Sequence, residues 1–164
     1  MKPAALRVQA AIAALGLTGR VVELAAEART SQQAADGLGV RVEQIAKSLV
    51  FTVDGAPVMV VASGINRVDE AKLGRLAGGL VRRADADTVR RATGYAIGGV
   101  PPLGHETTLP TWVDEDLLRL DLIYAAAGVP ECVFPLTPDE LVKATSGRVA
   151  DVKASKTFPK GDPA

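Results

Sequence analysis

Apolar residues recur at helical spacing from the start of the chain: Leu6, Val8, Ala11, Ile12 and Leu15, with Gly16 behind them, predict an amphipathic helix over residues 3–15. Val21–Leu24 reads as a short strand. Thr30-Ser31-Gln32-Gln33 has the capping-box pattern, a hydroxyl followed three residues later by Gln, and opens a helix that Gly37 and Gly39 end. A second short helix is predicted around Arg41–Ala46. The period then changes. Ser48–Val53 and Val58–Ala62 are β-rich runs, apolar enough to be central, around an Asp54-Gly55 turn that marks a hairpin.

Helices are predicted over Val68–Leu76 and Asp87–Ala92, on either side of Leu80 and Val81. Strands are predicted at Leu109–Val113, Leu122–Ala126 and Cys132–Leu136. Thr137-Pro138-Asp139-Glu140 is a capped helix start with Pro at its first position, and Ser146-Gly147 ends that helix. With no internal repeat and no linker, residues 1–152 read as a single mixed α/β domain with a sheet of about six or seven strands, and residues 153–164 as a loose tail. The hairpin excludes a purely parallel sheet.

Composition narrows the class. The chain has 164 residues, one cysteine, one histidine, and 19 Lys plus Arg against 19 Asp plus Glu. One cysteine makes no internal disulfide, and one histidine with it gives too few soft ligands for an ordinary zinc site. The balanced charge argues against non-specific coating of nucleic acid, DNA included. No apolar run approaches the roughly 18 residues of a membrane span, and the N-terminus lacks an uninterrupted apolar signal core, so a soluble cytoplasmic protein is expected.

The chemistry concentrates in Thr93-Gly94-Tyr95-Ala96-Ile97-Gly98-Gly99-Val100-Pro101-Pro102-Leu103-Gly104-His105, with four glycines, two prolines and the sole histidine. Glycine lets backbone approach a ligand closely, and successive prolines fix φ and remove donors, so the remaining N–H groups can be aimed one way. The stretch reads either as a tight turn or as a backbone pocket for an oxygen. Lys47 interrupts the apolar run Ile45–Phe51 at a helix-to-strand junction, where it must snorkel, pair, or bind an anion. His105 either takes part directly or only bonds backbone. Cys132 reads as a core strand residue. Arg82-Arg83 and Arg90-Arg91 could meet a phosphate backbone, but Asp87, four residues after Arg83 and three and four before Arg90 and Arg91, explains them as intrahelical ion pairs. Neither a dinucleotide nor a P-loop fingerprint is present, and no Ser nucleophile elbow accompanies His105.

The order of a Thr-opened helix, Ile45-Ala46-Lys47-Ser48-Leu49-Val50-Phe51, the Thr93–His105 loop and the Thr137-Pro138-Asp139-Glu140-Leu141 helix resembles the YbaK-like aminoacyl-tRNA deacylases, relatives of the prolyl-tRNA synthetase editing domain. The resemblance covers about residues 5 to 152. It implies a mixed, partly open, barrel-like sheet surrounded by helices, and hydrolysis in trans of tRNA carrying a wrong small amino acid, Cys or Ala on tRNA for proline. By that resemblance Lys47 holds the terminal adenosine end of the tRNA, and the Gly98–Pro102 backbone holds the aminoacyl carbonyl. Catalytic roles fall on Lys47, Gly98, Gly99 and Val100; Pro101, Pro102, His105, Tyr95, Phe51 and Gly128 become substrate-binding. No metal or organic cofactor is implied; aminoacylated tRNA and prolyl-tRNA synthetase are the implied partners. The alternative is a non-catalytic module that binds a nucleotide or tRNA end for a synthetase. Familiar members carry a Ser-Gly-Gly-Lys-type segment where this chain has Ala125-Ala126-Ala127-Gly128-Val129-Pro130, which implies a different substrate pocket.

Overall fold

The Asp54-Gly55 signal organises the centre of the computed structural model, which describes residues 1–155. Both turn residues have positive φ, 49° and 85°, as a two-residue hairpin turn demands. They join strands Ile45–Val53 and Ala56–Ser63, paired antiparallel from Val53↔Ala56 to Ala46↔Ser63. In chain order the strands are β1 (Val22–Glu23), β2 (Ile45–Val53), β3 (Ala56–Ser63), β4 (Val81–Arg83), β5 (Thr111–Asp114), β6 (Ile123–Ala126), β7 (Cys132–Leu136) and β8 (Arg148–Ala150). They form one unclosed sheet in the order β1-β7-β6-β2-β3-β5-β8, with β4 also paired to β2. Parallel pairings of β2 with β6, β3 with β5 and β5 with β8 make the sheet mixed.

Two expectations change here. The helix expected around Arg41–Ala46 is a short 3-10 turn, Val42–Gln44, and Ile45 and Ala46 already belong to β2. Pairing on both edges, to β3 and to β6, overrides the local spacing. Strand β4 was not expected, because Arg82 and Arg83 carry no strand pattern; its pairing to Phe51–Val53 defines it. Arg83 therefore cannot pair with Asp87 along a helix, and the ion pair found there is Asp87–Arg91 at 3.1 Å.

The helices are α1 (Pro3–Ala14), α2 (Ser31–Leu38), α3 (Glu70–Ala77), α4 (Ala86–Thr93) and α5 (Pro138–Thr145). Thr30 caps α2 by accepting from the Gln33 N–H, while Gln33 reaches one residue further back than expected, to the Arg29 N–H. Thr137 and Glu140 form a reciprocal capping box on α5. The sheet has a core on each face. Met59 and Val61 point to one, with Phe134, Leu117 and the buried Val8 and Ile12 of α1; Val58 and Val60 point to the other, with Phe51, Trp112 and Leu73 of α3. Fully burying a Val or Ile side chain contributes about 1.5–3 kcal/mol, so Val8 and Ile12 are the main anchors that dock α1. Lys153 bridges to Val68, and the Ala154 N–H donates to the Arg67 carbonyl. The rest of the expected tail, residues 156–164, lies outside the described residues.

Candidate active site

β2 has one continuous partner and one interrupted edge. On that edge β6 pairs only with Ile45 and Ala46, and β4 only with Phe51–Val53. Lys47, Ser48 and Leu49 have no strand partner there, and the Val50 carbonyl accepts only from the Ala84 N–H, at 3.3 Å. A strand residue turns its N–H and C=O to the same edge, and alternate residues turn to opposite edges. The Val50 carbonyl marks the open edge, so the N–H and C=O of Ser48 face it too. A cleft of about 460 Å³ occupies this gap, floored by β2 and walled by the start of α2, by β6 and by the loop after α4.

That loop is held from behind. Gly94 ends α4 with φ 83°, and Thr93 Oγ1 donates to the Val89 carbonyl while accepting from the Tyr95 N–H, which fixes the chain's exit. Gly98 has φ 95°, a conformation that side chains resist. The Gly99 N–H donates to the Ala96 carbonyl and its own carbonyl accepts from the Gly128 N–H at 2.8 Å. A Cβ on Gly99 would lie 2.5 Å from the Gly128 carbonyl oxygen, so Gly99 must stay bare for the loop to seat. Pro101 and Pro102 have no N–H. The N–H groups of Gly98 and Val100 donate no hydrogen bond among the described residues, and both residues line the cleft.

Of the residues expected at the site, Lys47, Phe51, Gly98 and Val100 line this cleft together. Gly99, Pro101, Pro102, His105, Tyr95 and Gly128 do not; they form the support behind the loop. His105 Nε2 donates to the Pro101 carbonyl at 2.6 Å, which places its proton on Nε2. Burial pulls the His105 pKa below its ordinary value, against the effect of that bond. The Tyr95 ring is buried under the Arg7 guanidinium, 4.8 Å from the ring centre, and lies 6.5 Å from the His105 ring. Burial raises its phenol pKa, with Arg7 opposing.

Lys47 is not at a helix-to-strand junction but inside β2, opposite Ala62. Its side chain shares a face with Phe51, and Ser48 points to the other face with Ala46 and Val50. Its amine makes no ion pair or hydrogen bond among the described residues. Burial lowers the pKa of its amine; Arg83 adds to that and Asp114 opposes it. Asp114 is fully buried and its carboxylate already accepts from the Ser63 N–H, the Asn66 amide and the Asp116 N–H. The Lys47 amine thus has no protein counter-ion in contact among the described residues.

Other lining residues were not expected at the site, three of them chemically notable. Arg83 and Ser48 line the cleft, and Ser48 Oγ is buried without a hydrogen-bond partner. Cys132 lies in the core as expected, yet its strand also borders the cleft. Burial raises its thiol pKa, and Glu23 and Glu131 raise it further, which suppresses the thiolate. The only signal for Ser48 was a second polar residue beside Lys47 in an apolar strand. Among the described residues no group of three His, Cys, Asp or Glu side chains is placed to hold a metal ion.

Residues 25–144 match the family model of the aminoacyl-tRNA editing domain, and the chain belongs to that family. It is 33% identical over 130 residues to the uncharacterized protein YwhH of Bacillus subtilis, covering 79% of this chain and 83% of that one. It is 29% identical over 125 residues to the "Putative Cys-tRNA(Pro)/Cys-tRNA(Cys) deacylase EbsC" of Enterococcus faecalis, covering 75% and 76%. A crystal structure described as "a putative trans-editing enzyme for prolyl tRNA synthetase" superposes with a TM-score of 0.91 at 46% identity, covering 94% of this chain and 99% of the other. No helix among the described residues is long and apolar enough to cross a membrane.

Proposed function

We propose that this protein hydrolyses, in trans, the ester bond of a mischarged aminoacyl-tRNA carrying a small amino acid such as Cys or Ala, on tRNA for proline. The observation that carries this reading is the pair of unpartnered N–H groups at Gly98 and Val100, in the wall of a cleft that Lys47 also lines. Fixed backbone dipoles of this kind stabilise the negative charge that develops on an ester oxygen, and they need no reorganisation during reaction.

In this reading the ester carbonyl accepts from the Gly98 and Val100 N–H groups, and Lys47 meets the anionic terminal nucleotide. Water attacks the carbonyl carbon, and the free hydroxyl of the terminal ribose, held beside it, assists proton transfer to the leaving oxygen. The products are the free amino acid and intact tRNA. The neutral His105 contributes by fixing the Pro101 carbonyl, and the Cys132 thiol takes no part. The names of EbsC and of the trans-editing structure support the substrate class, and work beside prolyl-tRNA synthetase in the cytoplasm follows from it.

A panel of mischarged tRNAs tests the reading by single-turnover deacylation. Hydrolysis of a small amino acid from tRNA for proline, well above the uncatalysed rate, is the expected result. Binding without hydrolysis of any member would replace it with a tRNA-end binding module.

A further inference from the structure

Ser48 is buried at its hydroxyl, without a hydrogen-bond partner, on the cleft floor. It lies on the face shared with Ala46 and Val50, the side to which the loop's Val100 also packs. Its main-chain N–H and C=O turn to the interrupted edge of β2. A single residue thus presents a hydroxyl and a carbonyl, both able to accept, beside the loop donors. An unpaired buried hydroxyl destabilises the free protein, a defect that a donor from a ligand would remove.

The groups around Ser48 narrow which donor that is. Its lining includes Arg29, Lys47 and Arg83 but no Asp or Glu. An aminoacyl ester offers three recognisable groups: a carbonyl, a small side chain and an α-amino group. The carbonyl needs donors, which the loop supplies, and a small apolar side chain needs only volume. The α-amino group needs acceptors; with no carboxylate among the described lining residues, hydroxyls and main-chain carbonyls remain, and of the lining hydroxyls of Thr30, Ser31, Ser48 and Tyr124 only that of Ser48 is buried without a partner. We infer that Ser48 binds the α-amino group of the aminoacyl ester through its hydroxyl and main-chain carbonyl. This inference rests on the editing reading and makes Ser48 the residue that distinguishes an aminoacyl ester from a simple acyl ester.

The test uses acceptor-stem minihelices that end in a non-hydrolysable 3′-amide, carrying either alanine or propionic acid, the same group without its amine. Wild-type protein should bind the alanyl form roughly 3- to 10-fold more tightly, the scale of a net hydrogen bond. Ser48→Ala should erase that preference while leaving propionyl affinity and Tm no lower than wild type. Ser48→Thr, which keeps the hydroxyl, should retain it. The inference is overturned if wild type shows no preference or binds neither amide. It is also overturned if Ser48→Ala keeps the preference, weakens both ligands alike, or lowers Tm by several degrees, which would assign the hydroxyl to structure. The matching alanyl ester is tested in parallel: no hydrolysis by wild type refutes the editing reading alone, because the amide comparison still decides the Ser48 contact.

Discussion

Gly98→Ala separates what the loop's conformation does for stability from what it does for chemistry. From sequence alone, a side chain at Gly98 is expected to block turnover and leave stability nearly untouched. The structure revises the second half. The φ of 95° is hostile to a side chain, although a Cβ would find its nearest heavy atom, Pro130 Cγ, at 3.8 Å. Strain and not collision is the perturbation. Holding a residue with a Cβ at left-handed φ costs roughly 1–2 kcal/mol. In a chain of this size each kcal/mol moves Tm by about 2–4 °C, so the loss should be roughly 2–8 °C. Gly39 is the matched control: it caps α2 at φ 70° with nothing within 4 Å of its would-be Cβ. Gly39→Ala should lower Tm comparably and leave deacylation unchanged. Gly98→Ala relieves its strain by rotating the peptide that aims the Gly98 N–H, and losing one such donor is worth about 100- to 1000-fold in rate. Thermal melts and single-turnover rates on both variants, below their melting range, make the comparison. If Gly98→Ala deacylates within a few-fold of Gly39→Ala, the carbonyl-binding role of the loop is refuted.

Lys47→Met should reduce deacylation by roughly 100-fold, as expected for a lost preorganised electrostatic contact. Because burial lowers the Lys47 pKa, the folded state disfavours its ammonium in full below that lowered value, and the penalty lifts as pH rises towards 10.5. Lys47→Met should therefore melt no lower than wild type at pH 7; a large fall in Tm would instead mark its stem as structural. His105→Ala removes the donor to the buried Pro101 carbonyl and should cost about 1–3 kcal/mol of stability, with a smaller rate loss than Gly98→Ala. Its depressed pKa means the wild-type protein loses stability as pH falls from 6.5 through the folded-state value, a loss that His105→Ala should lack in parallel urea titrations. Cys132→Ala should keep deacylation within a few-fold, and iodoacetamide should spare the wild-type rate; loss of activity with the fold intact would reveal a thiol enzyme.

Local chemistry was legible where it alone decides conformation. Asp54-Gly55 and the Thr137–Glu140 box each specify their backbone within a few residues, and both appear as read. Elements settled by distant partners were not. Ile45 and Ala46 fit a helical spacing until β3 and β6 claim them, and Val81–Arg83 becomes a strand only because β2 offers it an edge. The site divides the same way. Glycines and prolines announced a constrained loop, but which amides remain unbonded depends on Ala96 and Gly128, so Gly99 serves in the support and not with the cleft-lining donors. Ser48 carries no motif at all; only the missing strand beside it sets its main-chain groups apart.

The interruption along β2 sets the size of the site by counting. Four residues, Lys47–Val50, lie between the last rung to β6 and the first to β4, and at ~3.3 Å per residue the aperture is about 13 Å long. That length belongs to strand register and not to any side chain. On the proposed editing reading, most lining side chains can drift, changing volume and therefore the amino acid admitted, while the aperture and the backbone donors across it stay as they are. Lengthening either flanking strand by one rung, in contrast, would shorten the opening by a quarter and remove Ser48 or Val50 main-chain groups from it. On that reading chemistry and selectivity sit on separately mutable parts of the chain, and a domain of this build can acquire a new substrate without rebuilding its reaction.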